Sequence, residues 1–350
     1  MSVFAMPDYD NHEQVVFFHD KETDLKAIVA IHDTTLGPSL GGTRMFPYSS
    51  EDEALTDVLR LSKGMTYKSA LAGLKLGGGK SVIIGDPKTE KTQEKLAAFG
   101  RMLNRLGGMY IAAEDSGTSV EDLQYVGQFT KHVAGVEEKT DESGHAKTGD
   151  PSPATALGCF LGIKAAVEHR LNKSDLKGTS VSIQGMGHVG YYLAKHLHEA
   201  GANLFVSDLD KDKLEQAKQE FNATIVHGDE IISQPVDVFA PCAMGAILNE
   251  QSIQMLQAPI VAGSANNQLA VDHIGDKLHE MNILYAPDFV INAGGIIDVY
   301  HERGGYDPVA VKTHIEGIYD TLKEIFTRSS ANNRAPSHIA DELALERLAG

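Results

Sequence analysis

Two lysines and an aspartate are the side chains in this sequence whose types and spacing could do chemistry. Lys68 and Lys80 stand twelve residues apart (80 − 68) in the stretch MTYKSALAGLKLGGGKS, residues 65–81. Between them lie the apolar Ala70–Leu74 and then three consecutive glycines, Gly77 to Gly79. A lysine at the end of a glycine run sits where backbone can approach a ligand closely, because glycine has no Cβ. Apolar neighbours disfavour the ammonium form, which makes Lys80 a candidate base. Lys68, after a helical-looking segment, is suited to hold an anion as a plain ammonium. Asp115 follows the strand-like Tyr110–Glu114 and is placed like a strand-end catalytic carboxylate. Plainer readings stand beside these: turn glycines before a surface lysine, and an aspartate that caps a helix or a turn. A phosphate-binding P-loop is excluded, since the position five residues before the Gly-Lys-Ser glycine is Leu74 and Gly73 falls one residue early.

A second constellation is Gly185-Met186-Gly187-His188-Val189-Gly190. Its setting is that of a dinucleotide fingerprint: a strand predicted over 179–184 precedes it and a helix to His198 follows. Asp208 ends the next strand, 203–207, and lies 23 residues after Gly185 (208 − 185). The first glycine makes the tight turn, the second lets a pyrophosphate reach the helix N-terminus, and the third lets helix and strand pack. The Asp208 carboxylate would accept hydrogen bonds from the adenosine ribose and repel a 2′-phosphate, which favours NAD over NADP. Lys211 and Lys213 nearby work slightly against that choice.

The elements that must position these residues can be read in order. Residues 14–20 and 25–33 form a predicted hairpin about the polar turn 21–24. Leu36-Gly37-Pro38 breaks the pattern, and the pair Gly41-Gly42 reads as a tight turn or a place of close backbone approach. Helical spacing runs over 51–67, a buried strand over 81–85, and a helix over 91–106 that stops at Gly107-Gly108. A helix is expected at 119–129. Polar residues 137–150 read as a linker, and Pro151-Ser152-Pro153 opens a helix to about 169. Beyond it strands and helices alternate. Further strands fall at 223–227, 236–240, 259–263 and 283–286, which implies a parallel sheet covered on both faces. Helices at 308–328 and 337–348 complete the chain. The fold expected is α/β in two domains. A mixed-sheet domain covers 1–136, a Rossmann domain covers 150–330, and a final helix within 331–350 packs back on the first.

Composition limits the partners. A net charge of −17 argues against nucleic acid, which calls for a basic surface. No apolar run is long enough for a membrane span, and the acidic start MSVFAMPDYDNHE lacks the pattern of a signal peptide. Two cysteines, Cys159 and Cys242, suit a reducing cytoplasm. Neither HExxH nor CxxC spacing occurs, so no metal site is expected.

The combination of Lys68, Lys80 and Asp115 ahead of a Rossmann unit resembles the amino-acid dehydrogenases of the glutamate/leucine/phenylalanine/valine family. The resemblance spans essentially the whole chain, through LGGTRM (40–45), MTYKSALAGLKLGGGK (65–80), AAEDSGT (112–118), KTGDPSPATALG (147–158), QGMGHVG (184–190), AGSANNQLA (262–270) and APDFVINAGGIIDV (286–299). It implies NAD-dependent, reversible oxidative deamination of branched-chain L-amino acids to 2-oxo acids and ammonia. Lys80 would be the base, Lys68 the partner of the substrate carboxylate, and Asp115 an aid to proton transfer. Gly41 and Gly42 would line the substrate site through their backbones. Asn267 would hold the nicotinamide end, and Thr148, Gly149, Asp150 and Pro151 would stand beside an interdomain cleft. Leu40, Ala113, Ile296 and Val299 would surround the substrate side chain; members acting on phenylalanine tend to have glycine at the position of Ala113. Ile296 replaces a more usual valine, Asp298 an asparagine, and Gly190 an alanine found in many relatives. The resemblance also implies identical subunits, eight or two. The rival reading, a non-catalytic NAD sensor, would have no use for Lys68, Lys80 and Asp115 together.

Overall fold

The structure is a computed structural model that describes every residue except 1, 138, 141–145, 148 and 244, together with only the backbone of 140, 146 and 147. The chain divides into two compact units. The first comprises Met1–Asp150, Val299–Pro308 and Arg347–Gly350, and the second Pro151–Asp298 and Val309–Glu346.

In the first unit the order is β1 (Gln14–Asp20), β2 (Leu25–Asp33), β3 (Ser39–Phe46), α1 (Glu51–Leu71), β4 (Gly77–Ile84), α2 (Gln93–Asn104), β5 (Tyr110–Glu114) and α3 (Val120–Val126). The strands form one five-stranded sheet in the order β1-β2-β4-β3-β5. β1, β2 and β4 are antiparallel neighbours, whereas β3 runs parallel to both β4 and β5, so the sheet is mixed. The hairpin closes with Asp20 opposite Leu25, and the Asp20 carboxylate accepts from the Thr23 amide at 3.1 Å. Each helix starts where a hydroxyl can take an orphan amide. Ser50 and Thr92 cap α1 and α2, and Ser119 with Asp122 forms a capping box on α3.

Both faces of the sheet are covered. Ile28, Ala30 and Val82 bury with Ala54, Leu55, Val58 and Leu59 of α1. On the other face Val29, Ile31, Ile83, Tyr110 and Ala112 bury with Leu96, Phe99 and Leu103 of α2 and Leu123 and Val126 of α3.

The pair Gly41-Gly42 makes no turn: Leu40–Arg44 is the middle of β3, where the glycines allow close approach, and β4 starts at Gly77 rather than at 81. Strand propensity cannot find such segments, since glycine contributes no side chain to an alternating pattern; pairing on both edges of β3 supplies what local preference lacks. The expected linker 137–150 contains a two-stranded pair, β6 (Lys139–Thr140) with β7 (Ala146–Lys147). The segment Val299–Pro308 is tied into the first unit by Glu302, whose buried carboxylate accepts from the amides of Gly135, Val136 and Glu137 at 3.0, 2.8 and 2.6 Å.

The second unit contains α4 (Ser152–Leu171), β8 (Ser180–Gln184), α5 (His188–Glu199), β9 (Asn203–Ser207), α6 (Lys211–Phe221), β10 (Thr224–Ile225), β11 (Val238–Pro241), β12 (Ile260–Val261), α7 (His273–Glu280), β13 (Leu284–Tyr285) and α8 (Asp288–Ile291). The first five residues of α9 (Gly294–Glu302), most of α10 (Pro308–Asn332) and α11 (Pro336–Ala349) up to Glu346 also belong to it. Its six strands are all parallel, in the order β10-β9-β8-β11-β12-β13. Counted within the sheet this is 3-2-1-4-5-6, the Rossmann order. The helices α7, α8 and α9 add to those expected from the sequence. The final helix, expected on the first domain, groups instead with the second unit as far as Glu346. The stripe Ile339, Ala340 and Leu343 of α11 is buried, and His338 bonds Asp276 of α7 at 2.9 Å. An apolar stripe signals burial but not against which neighbour. Only the last turn belongs to the first unit, where Arg347 donates to the Leu71 carbonyl at the end of α1 at 2.6 Å. Among the described residues no helix is long and apolar enough to cross a membrane.

Candidate active site

The first site is built on β3, β4 and β5, which lie side by side. Register places Leu40 opposite Gly78 and Ile111, Gly42 opposite Ala113, and Arg44 opposite Val82. Side chains alternate along a strand, so Leu40, Gly42, Arg44, Lys80 and Ala113 share one face. It is the α1 face, since Val82 buries there, and Lys68 lies in the last turn of α1.

The glycines let the polypeptide pack against itself. A Cβ on Gly78 would stand 2.1 Å from the Thr66 amide nitrogen of α1, and one on Gly79 would stand 2.7 Å from the Tyr110 ring. One on Gly41 would meet the Gly79 carbonyl at 1.7 Å. Gly42 is the one beside the candidate base: its Cβ would be 2.7 Å from Asp115 Cβ and 3.0 Å from Lys80 Nζ. The hydroxyl of Tyr110, buried beneath the sheet, donates to the Gly41 carbonyl at 2.8 Å and holds this bare stretch of β3 in place.

Lys80 is buried, and not among apolar groups alone: Nζ donates to Asp115 Oδ2 at 2.5 Å. Asp115 is fixed in turn. Its amide donates to Thr118 Oγ1 at 3.0 Å, and that hydroxyl donates to the Thr43 carbonyl at 2.8 Å. Arg44 Nε donates to Asp115 Oδ2 at 3.1 Å. Burial pushes the Asp115 carboxyl up, but the Lys80 ammonium and then the Arg44 guanidinium outweigh it and hold the pKa at about 2. The neighbouring Glu114 is raised, by burial first and then by the charges of Asp150, Asp115 and Glu121. Two carboxyls adjacent in sequence are thus pushed in opposite directions by what faces them.

Leu40, Gly41, Gly42, Lys80, Ala113 and Asp115 are therefore brought together, with Lys68 on the helix over the same face. Val299 is buried in the same unit, and its Cγ2 would lie 3.6 Å from a Cβ on Gly135. Asp150 closes the first stretch of that unit, and Thr148 lies outside the described residues. Ile296, buried on α9, and Asn267 belong to the second unit.

The loop Gly185–Gly190 of the second unit joins β8 to α5. Gly185 has φ +99°, and a Cβ there would meet Ala243 at 2.7 Å, so only glycine suits the turn. A Cβ on Gly187 would meet nothing within 4 Å, and as the residue before α5 it brings no side chain to cap the first amides. A Cβ on Gly190 would stand 2.0 Å from the Gly185 carbonyl oxygen, so the loop folds tightly onto its helix. The second glycine is thus open where a pyrophosphate would approach, and the first and third pack. Asp208 is already engaged, since its carboxylate accepts from the Met186 amide at 2.6 Å and from Asp210 at 2.8 Å. It ties the glycine loop to the end of β9. Asn267 is exposed in a left-handed turn, φ +51°, beyond β12, with its carbonyl accepting from the Ala246 amide at 2.6 Å. These residues fit a dinucleotide: an open approach at Gly187, a helix N-terminus and a carboxylate at the ribose end.

Comparison with known proteins follows the same division. The family pattern described as Glu/Leu/Phe/Val dehydrogenase, dimerisation domain, matches residues 12–132, and that described as Glutamate/Leucine/Phenylalanine/Valine dehydrogenase matches residues 149–331. The chain belongs to the Glu/Leu/Phe/Val dehydrogenase family. It is an amino-acid dehydrogenase, an oxidoreductase that carries out oxidative deamination. It is 49% identical over 348 residues to a leucine dehydrogenase of Geobacillus stearothermophilus, covering 99% of this chain and 94% of that protein. It is 43% identical to a phenylalanine dehydrogenase of Bacillus thermotolerans over 342 residues, 96% of this chain and 88% of the relative. The crystal structure of L-tryptophan dehydrogenase from Nostoc punctiforme superposes with a TM-score of 0.84 at 46% identity, over 97% of this chain and 96% of that one.

Four further residues of this dehydrogenase's site, Arg44, Asp57, Tyr48 and Tyr110, do not stand out in the sequence. Arg44 stands two residues after Gly42, so alternation would set it on the same face once Leu40–Arg44 is known to be a strand. Asp57 and Tyr48, which hold it, carry no local signal.

Proposed function

We propose that this dehydrogenase is a leucine dehydrogenase in substrate and cofactor: it oxidatively deaminates leucine, valine and isoleucine, reversibly, with NAD. The observation that carries the reading is the pair Lys80–Asp115 beside the bare backbone of Gly42, with the apolar Leu40 and Ala113 on the same face of the sheet. Bound NAD supplies the acceptor for the substrate Cα hydride. Gly185, Met186, Gly187, His188, Val189 and Gly190 would hold its pyrophosphate, Asp208 its ribose and Asn267 its nicotinamide end, and the family likeness adds Thr148 and Asp150 to the residues that bind it. The Asp208 carboxylate supports NAD over NADP by like-charge repulsion of a 2′-phosphate.

Lys68 pairs the substrate carboxylate. Loss of hydride leaves an imine, and Lys80 takes a proton from the water that attacks it. Asp115, ionised and 2.5 Å from Nζ, receives or returns that proton, and ammonia leaves with a 2-oxo acid as product. The apolar Leu40, Ala113 and Val299 of the first unit oppose a substrate carboxylate side chain, which would lose its hydration without a partner. The Ala113 methyl works against a ring. Leucine, isoleucine and valine differ by a methylene or less, worth about 1–3 kcal/mol in an apolar site, and all three are accepted. Identical subunits in a cytoplasmic oligomer complete the reading.

The test is kcat/KM for leucine, valine, phenylalanine and tryptophan with NAD and with NADP, repeated with Ala113→Gly. Leucine with NAD is expected to lead, and the variant to move toward the larger side chains. A native enzyme that prefers an aromatic amino acid overturns the substrate, and one that prefers NADP overturns the cofactor.

A further inference from the structure

The Lys80–Asp115 pair is the end of a longer chain of charges. Arg44 Nε lies 3.1 Å from Asp115 Oδ2, the oxygen that Lys80 Nζ approaches at 2.5 Å. Arg44 Nη1 is held in turn by both oxygens of Asp57, at 3.3 and 3.0 Å, and the Tyr48 hydroxyl donates to Asp57 Oδ2 at 2.6 Å. Phenol, carboxylate, guanidinium, carboxylate and ammonium therefore alternate from the loop before α1 to the middle of β4. Two cations converge on one oxygen of Asp115, and they differ in kind. A guanidinium does not give up its proton in a protein, whereas an amine used as a base must be neutral for part of each cycle.

The consequence for Asp115 is physical. While Lys80 is an ammonium the carboxylate has two cations. When Lys80 is neutral it has one, and an ionised carboxylate largely removed from water is strongly disfavoured with none. Arg44 is also pinned at two points, by Asp115 at Nε and by Asp57 at Nη1, so its planar fork cannot swing away as Lys80 changes charge.

We infer that Arg44 is a positioning residue for the reaction: clamped by Asp57 and Tyr48, it keeps the Asp115 carboxylate in place and ionised while Lys80 is without its proton. This rests on the roles given above to Lys80 and Asp115. The depressed Asp115 carboxyl agrees with it, as Arg44 ranks directly after Lys80 among the charges that lower it. The other ionisable groups bearing on Asp115 are Glu114 in β5, Tyr110 below the sheet, and Tyr48 beside Arg44.

The experiment compares Arg44→Met, Arg44→Lys and Asp57→Asn in the full-length enzyme. Leucine kcat and KM are measured across pH, together with NAD binding by fluorescence and the thermal midpoint. Arg44→Met is expected to lower kcat about 100-fold, the scale of a lost proton-transfer aid, with KM for leucine and NAD affinity within about threefold. The acid limb of its kcat profile moves to higher pH, because Asp115 protonates more readily without the guanidinium. Arg44→Lys recovers about tenfold of the loss, since it restores the charge but not the fork. Asp57→Asn moves kcat and the acid limb in the same direction by less, and carries the test if Arg44→Met does not fold. A kcat for Arg44→Met near the native value with an unmoved profile overturns the inference. So does a variant that loses only thermal stability, which is what a merely structural arginine would give. Lys80→Ala and Asp115→Asn are run beside them: if both keep activity the underlying roles fail, whereas if both are inactive and Arg44→Met is not, only the role of Arg44 fails.

Discussion

Two groups of glycines, those of β3 and β4 in the first unit and those of the loop before α5 in the other, have the same appearance along the chain: short runs beside a candidate site. In the first unit they are full. A Cβ on any of Gly41, Gly42, Gly78 or Gly79 would collide with the protein's own atoms, including the amide of Thr66 and the amine of Lys80. In the second unit the outer two glycines pack in the same way, but Gly187 faces open space. The comparison separates two uses of one residue. A glycine can admit a ligand, or it can bring two pieces of the protein close enough for side chains from different strands to meet. Lys80 and Asp115 meet by the second route, and a pyrophosphate would be admitted by the first.

The largest effect expected tests the first region at its chemistry. Lys80→Ala should cost about 10²–10⁴ in kcat while NAD still binds, because the loop and Asp208 belong to another unit. Titration of the variant with NAD beside steady-state rates checks this, and near-normal turnover would remove Lys80 from the mechanism. Next comes packing. Gly78→Ala should destabilise the first unit by about 1–3 kcal/mol, since α1 must move off the strand to accommodate a methyl. Denaturant unfolding measures it, and an unchanged midpoint would mean that α1 yields without cost.

Gly187→Ala sharpens the contrast. Its Cβ has room in the protein, so stability should hold, but the methyl occupies the cofactor's approach and NAD affinity should fall about tenfold, or about 1.4 kcal/mol. Loss of stability with affinity intact would place Gly187 with the packing glycines instead. Asp208→Asn belongs to the same experiment. It keeps a group able to accept from Met186 while removing the charge, so it should narrow the preference for NAD over NADP with less damage to the loop than Asp208→Ala.

The last effect is a dependence on acid, felt only below neutral pH. His32 at the end of β2 is held down to about 4, by burial first and then by the neighbouring His12, whose ring lies 4.8 Å away. A folded-state pKa below the unfolded value means that the unfolded chain binds the extra proton first. Stability is therefore full above about 6.5 and is lost progressively as pH falls toward 4. Thermal midpoints taken from pH 7 to 4 should decline over that window, and His32→Gln should flatten the decline. Asp115 acts lower, with its contribution lost only as pH falls from 3.8 toward 2.

What could be read from residues alone was decided by context that is local in the chain. The hairpin 14–33 matched both strand ranges, because alternation and a polar turn carry their own signal. The fingerprint at Gly185 is legible because strand, turn, helix and the distal Asp208 are spaced by the geometry of one βαβ unit, and that unit sets its own register. Lys80 and Asp115 stood out by type, and the family likeness joined them.

Their direct ion pair was not legible from residue types and spacing, nor was the support of Arg44, Asp57 and Tyr48. Those contacts depend on β3 lying between β4 and β5, and Leu40–Arg44 gives no strand signal of its own, because a glycine-rich strand is stabilised by its two neighbours rather than by its own side chains. The same holds for α11, whose apolar stripe announced burial but whose partner, α7, was settled only when the second unit closed around it. Residue chemistry and local spacing are written along the chain. Which strand separates which, and therefore which charges share an oxygen, is a property of pairing between distant segments, and only tertiary structure decides it.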